Sequence, residues 1–302
     1  MTRPAAAIAI AVLSSVALAQ VLHRPGIDLP YKVIGKGKPV LLLSGGPGFT
    51  TDYEMGLVKG SRTKGIQWIL LEQRGTPRAR LKNPSEKTLS LANYVADLEA
   101  LRNQLHLKRW TVVGHSWGSV LAHEYTAHHP NRVHGLLLLG DVGPDASMLN
   151  PAGDNTDRML NKEEREAEAK AGGDVTKGPA DDDAGLALFL VQLPGCFYSR
   201  DNADKSRSMF AKGCLVADTE NYVLPALLKN KWNVSKAMRR YKGQVMVIQG
   251  RQDMLGETPL WKDVLAMPQC QGFFIERSGH MPWLEQPQAF FKPFDAFLRE
   301  IK

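Results

Sequence analysis

Three cysteines in 302 residues are too few to build a disulfide scaffold, and none has zinc-ligand spacing or the setting of a thiol nucleophile. Stability must then come from a hydrophobic core. A chain of this length with 43% hydrophobic residues supplies one large core plus an inserted subdomain, which excludes disorder throughout. Blocks of basic residues are also missing. The formal net charge is +7, but the Lys and Arg side chains are scattered and not interleaved with stacking aromatics, so the charge reads as a solubility feature. Nucleic acid is not an expected partner.

The apolar run Ala5 to Ala19 is too short to span a bilayer comfortably. It follows Arg3 and closes on Ala17-Leu18-Ala19, giving the basic start, apolar middle and small final residues that an export signal needs. Cleavage after Ala19 is expected, leaving a secreted or periplasmic chain with no stable membrane insertion; a retained anchor or a frayed tail is the alternative. An oxidising compartment permits a disulfide. Cys196 and Cys214 either close one loop or are two small buried side chains, and Cys270 is left over.

What the chain has in quantity is alternation. Strand-like apolar runs occur at Tyr31 to Ile34, Pro39 to Leu43, Ile66 to Leu71, Trp110 to Val113, Val133 to Leu139, Gln244 to Gln249 and Gly272 to Glu276. Most are continuous rather than alternating, as in strands covered on both faces. Between them lie helical patterns, such as Leu89 to Leu105 with one apolar stripe and Ser119 to His129, stopped by Pro130. The order predicts an α/β fold with a doubly wound, mostly parallel sheet. The alternation breaks from about Asp141 to Arg240, where charged and helical segments flank a Gly/Pro/Asp stretch, Gly172 to Asp183, that reads as a mobile loop. An insertion at the carboxyl edge of a parallel sheet lies over the usual ligand site, so it reads as a helical lid or, less informatively, as a surface decoration. The expected organisation is a signal at 1–19, the N-terminal part of the core at 20–140, a helical lid at 141–240 and the C-terminal part of the core at 241–302.

Gly114-His115-Ser116-Trp117-Gly118 sits between the strand-like Trp110 to Val113 and a helical run. A serine on such a strand-to-helix turn displays its hydroxyl above a helix N-terminus, either as a nucleophile or as a helix cap. A serine needs a base to take its proton and an acid to orient that base. On this topology the acid and then the histidine follow at later strand ends. Asp253 lies on Gly250-Arg251-Gln252-Asp253 and His280 on Ser278-Gly279-His280, both just past strand-like runs. Asp141 competes with Asp253 because it ends another such run. Of the remaining histidines, His115 should point away from the serine, while His123 and the others lack a strand-end position. The oxyanion needs two donors. The Trp117 N–H is one, and Ser44-Gly45-Gly46-Pro47-Gly48 offers the other through Gly46, unless that segment is a plain turn.

The segments SGGPG, EQRG at Glu72 to Gly75, GHSWGS and GRQD followed by SGHMPWLEQP resemble the α/β-hydrolase superfamily, specifically its prolyl iminopeptidase-like branch. The resemblance covers the chain after Gln20 apart from the lid. It implies a serine hydrolase with Ser116, His280 and Asp253 as catalytic residues, Gly46 and Trp117 as oxyanion donors, and no cofactor or metal. Glu72 stands in the family's DQRG position as a structural ion-pair member; Ser44 replaces the family histidine, and Thr76-Pro77-Arg78 departs from the usual continuation. In that branch acidic lid residues recognise a free amino terminus, but Glu163, Glu164, Glu166 and Glu168 read as a solvated helix face. The expected substrate is a small molecule or short peptide, with N-terminal proline release first. Carboxylesterase action on short acyl esters, acyl transfer and a non-catalytic binding protein on the same fold stay open.

Overall fold

The computed structural model describes residues 20–175 and 181–301. The expected export signal lies outside the described residues, as does part of the Gly172 to Asp183 stretch. The chain opens with β1 (Gln20–Arg24), β2 (Ile27–Gly35) and β3 (Lys38–Leu43), then α1 (Met55–Gly60), β4 (Ile66–Leu71), α2 (Leu91–Gln104), β5 (Trp110–His115), α3 (Trp117–His128) and β6 (Val133–Leu139). Six helices follow: α4 (Leu149–Met159), α5 (Lys162–Val175), α6 (Asp182–Gln192), α7 (Arg200–Ser206), α8 (Ala217–Lys229) and α9 (Ser235–Met238). The core resumes with β7 (Gln244–Gly250), α10 (Thr258–Ala266), β8 (Cys270–Ile275), α11 (Pro282–Glu285) and α12 (Pro287–Glu300).

The eight strands form one sheet in the order β1-β2-β4-β3-β5-β6-β7-β8. Strand β2 is antiparallel to β1 and β4, whereas β3 to β8 pair in parallel. The continuous apolar runs are explained by two buried faces. Leu41, Leu43, Val112, Leu136, Leu138 and Val247 pack in one cluster with Leu98 and Leu101 of α2 and Val120 and Leu121 of α3. Their neighbours Val40, Leu42, Val113, Leu137, Leu139 and Ile248 pack on the opposite face with Leu57 of α1 and Phe290 and Phe294 of α12. Alternate side chains thus serve alternate layers, the period-2 consequence of the strand pleat.

Among the described residues no strand interrupts α4 to α9, and those between β6 and β7 form a helical insertion at the carboxyl end of the parallel strands. At three points the structure adds to, corrects or decides the sequence reading. The edge strand β1 escapes a sequence reading because only Leu22 of its five residues is buried, leaving no apolar run to mark it. Helix α5 continues to Val175, beyond the expected break near Gly172. All three cysteines are free. Cys196 and Cys214 are pinned to different parts of the core, since the Cys196 carbonyl accepts the His280 N–H at 2.8 Å and the Cys214 carbonyl accepts the Thr50 N–H at 2.8 Å.

Candidate active site

Strand β5 passes into α3 through Ser116, whose backbone lies at φ +55°, ψ −122°. A residue with a β-carbon is rarely held there, and such strain persists only where the surroundings enforce it. The flanking glycines permit the bend by close approach: a β-carbon on Gly114 would collide with the Gly118 carbonyl, and one on Gly118 with the Leu43 carbonyl. The Ser116 N–H bonds the Leu139 carbonyl at 3.0 Å, fixing the turn to β6. Ser116 therefore stands at the carboxyl edge of the sheet and lines a cavity of about 300 Å³.

His280 reaches the same cavity from the turn after β8, with Asp253 behind it on the turn after β7. Its Nδ1 is 2.9 Å from Asp253 Oδ2 and 3.1 Å from Oδ1. A carboxylate in that position selects the tautomer with the proton on Nδ1, leaving the Nε2 lone pair free. No hydrogen bond joins Ser116 Oγ to the imidazole in this structure. The His280 turn is fastened to the insertion through Glu285, which accepts the N–H groups of Gly279 (2.6 Å), Ser199 (2.9 Å) and Tyr198 (3.2 Å).

Gly46 and Trp117 both border the cavity. The Trp117 N–H is the first of α3 and has no preceding turn to bond. The Gly46 N–H has no backbone acceptor among the described residues. The adjacent Gly45 N–H is taken by Tyr53 Oη at 2.6 Å, which separates the two amides of this turn into one used and one available. Gln73 sets the turn against α3: its Nε2 donates to the Ser44 carbonyl at 3.0 Å and its Oε1 accepts the Trp117 indole N–H at 3.0 Å.

His115 points away from a serine partnership, as expected. Its Nε2 lies 3.1 Å from the His280 carbonyl and its Nδ1 2.8 Å from Tyr53 Oη. The carbonyl can only accept, so Nε2 carries the proton and the Tyr53 hydroxyl donates to Nδ1. Burial, with the neighbouring His280 charge second, holds the His115 pKa well below the usual imidazole range and keeps it neutral.

Asp141 is not beside His280. It is fully buried with His123 and Asp263, where His123 Nε2 lies 2.8 Å from Asp263 Oδ1 and His123 Nδ1 lies 2.8 Å from the Ser119 carbonyl. Among the described residues these three are the group whose donor atoms, all within 4.8 Å of one another, could hold a metal ion. Burial, with the Asp263 charge second, raises the Asp141 pKa well above the ordinary range and favours its protonated form. His123, opposed by burial but favoured by both acids, is raised to about 9. A lone histidine in an apolar helix gives no sequence signal for this cluster, because its partners arrive from β6 and α10. Glu72 is the structural residue it was expected to be, accepting Arg78 Nη1 at 2.8 Å and the Thr51 hydroxyl at 3.0 Å.

The rest of the cavity is largely apolar. Phe49 from the core meets Phe189 and Phe210 of the insertion, with ring centroids 4.8 and 5.8 Å away. Glu220 of α8 is its one lining carboxylate, and no ion pair or hydrogen bond engages that side chain among the described residues. It is exposed to solvent as well as lining the cavity, and burial among the surrounding protein raises its pKa. Two glutamates of α5 are engaged elsewhere: Glu164 pairs with Arg200 at 3.0 Å, and Glu168 accepts from Gln192 at 2.7 Å.

Residues 38–287 match the alpha/beta hydrolase fold family. The chain belongs to that family. It is 25% identical over 294 residues to the AB hydrolase superfamily protein YclE of Bacillus subtilis, covering 93% of this chain and 98% of that one. A proline iminopeptidase of Xylella fastidiosa is 41% identical over 108 residues, a match spanning 34% of this chain and 32% of the relative. The crystal structure of proline iminopeptidase from Mycobacterium smegmatis superposes with a TM-score of 0.70 at 20% identity, over 94% of this chain and 98% of that one. This alpha/beta hydrolase therefore shares its fold along most of its length with proteins of that name, and shares closer sequence over about a third.

Proposed function

We propose that the protein is a serine hydrolase that releases an N-terminal residue, proline foremost, from small amides or short peptides. The observation that carries this reading is the convergence of a strained serine and a carboxylate-held imidazole on one cavity. Ser116 Oγ attacks the substrate carbonyl while His280 Nε2 takes its proton; Asp253 keeps the imidazole oriented and stabilises its charge. The Gly46 and Trp117 N–H groups hold the oxyanion, His280 returns the proton to the leaving amine, and water then releases the acyl group by the same steps in reverse order.

The apolar lining suits a pyrrolidine ring or aliphatic side chain, and Glu220 supplies the charge an ammonium group would meet there. The insertion serves as a lid, contributing Glu220 and two of the three clustered phenylalanines. A short-acyl ester is the second reading, favoured by those apolar walls, which ask for no charge on the substrate. The test compares a proline arylamide, its N-blocked form and short-chain nitrophenyl esters. Preference for the free-amine arylamide supports the peptidase; turnover of esters alone overturns it in favour of the esterase. We also propose export with cleavage after Ala19, checked by intact mass of protein exported from a bacterial host.

A further inference from the structure

We infer that Gln249, the penultimate residue of β7, is a positioning residue for Asp253. The inference rests on the serine-hydrolase reading and adds a residue to it. Gln249 is fully buried, and both ends of its amide are assigned. Its Oε1 accepts the Asp141 backbone N–H at 2.8 Å, so its NH₂ must face Asp253, where it donates to Oδ2 at 3.0 Å. A flipped amide would set N–H against N–H and oxygen against oxygen.

The oxygen held by Gln249 is also the nearer acceptor for His280 Nδ1, at 2.9 Å. The other oxygen takes the Leu255 N–H at 2.9 Å. Two neutral donors from different segments thus fix the plane of the carboxylate, and through it the imidazole. Among the described residues no lysine or arginine pairs with Asp253, so these donors are its fixed support. The titratable groups facing this position are Asp253 on the following turn, His280 from the turn after β8, and Cys196 from the insertion, whose thiol burial and Asp253 raise to about 12; Asp141 meets Gln249 through its backbone N–H while its carboxyl turns to His123.

Two substitutions test the assignment. Gln249→Met keeps the volume and removes both polar ends; kcat should fall roughly 10- to 150-fold, the range set by losing a hydrogen bond to a charged group, with KM changed less than about twofold. Gln249→Glu keeps the shape. While its new carboxyl is protonated, it can donate to Asp253 and accept from Asp141 as the amide does, so activity should persist as long as that carboxyl holds its proton and be lost as it ionises, adding an alkaline limb absent from the parent. That limb decides the matter even if the methionine variant fails to fold. A methionine variant with kcat within twofold of the parent, or a glutamate variant with the parent's pH profile, overturns the role of Gln249. Turnover surviving Ser116→Ala instead overturns the underlying serine-hydrolase reading, so the two failures are distinguishable.

Discussion

Glu220→Gln removes charge from the cavity at almost constant volume, which isolates what that carboxylate does. Because no protein group engages Glu220 among the described residues, the substitution breaks no internal contact, and any change in kinetics reports on the substrate. A hydrogen bond to a charged group is worth about 1.5–3 kcal/mol, or roughly 10- to 150-fold. That loss should appear as a higher KM for a substrate with a free amino group, with kcat altered much less, since the contact is made in the ground state and the transition state alike. A nitrophenyl ester lacking an amine should be hydrolysed unchanged. The pH dependence has a defined sign. Burial raises the Glu220 carboxyl above the ordinary range, and the anion is the binding form, so affinity for an ammonium substrate should improve as pH rises through the Glu220 titration. It should decline again when the amine loses its own proton. Equal loss on amine and ester, or no change on either, would refute the assignment of Glu220 to amine binding.

Tyr53→Phe deletes the hydroxyl that serves the Gly45 N–H and His115 Nδ1, leaving two buried polar groups unpaired. Calorimetry should show a loss of about 1–3 kcal/mol, with kcat falling as the turn carrying Gly46 loosens; unchanged stability would mean the chain of bonds is not formed. The buried His123 cluster makes stability decline on the alkaline side. His123 is raised to about 9 in the fold, so its contribution is complete below its unfolded value near 6.5 and is lost as pH rises through about 9; Asp141, raised as well, acts in the same direction. At about 1.36 kcal/mol per pKa unit the histidine alone is worth on the order of 3 kcal/mol. Thermal melts from pH 6 to pH 10 should fall across this window and fall less in Asp141→Asn; a flat profile would contradict the charged His123.

The parallel sheet was legible because both faces of its strands are buried, so Val40 to Leu43 and Leu136 to Leu139 read as continuous apolar runs. The elbow was legible because two close backbone approaches admit glycine alone on either side of Ser116. Asp253 was harder, since Asp141 also ends a strand; only three dimensions show that Asp141 turns to His123 while its N–H supports Gln249. Tyr53, Gln73, Gln249 and Glu285 act through pairs or sets of hydrogen bonds to backbone and side-chain groups of other segments, which leave no periodic or spacing signal. Gln73 lay inside the EQRG segment, so the motif was visible and its task was not. Glu220 was hidden differently: an acid in the first turn of a helix is ordinary, and only the cavity distinguishes it.

The most direct test of the central claim is covalent. A fluorophosphonate reacts with a serine whose proton a neighbouring base can take, so the intact protein should gain one phosphonyl group, peptide mapping should place it on Ser116, and His280→Ala should suppress the labelling. Absence of an adduct on the folded parent protein, or an adduct on another residue with Ser116 unmodified, would contradict the account.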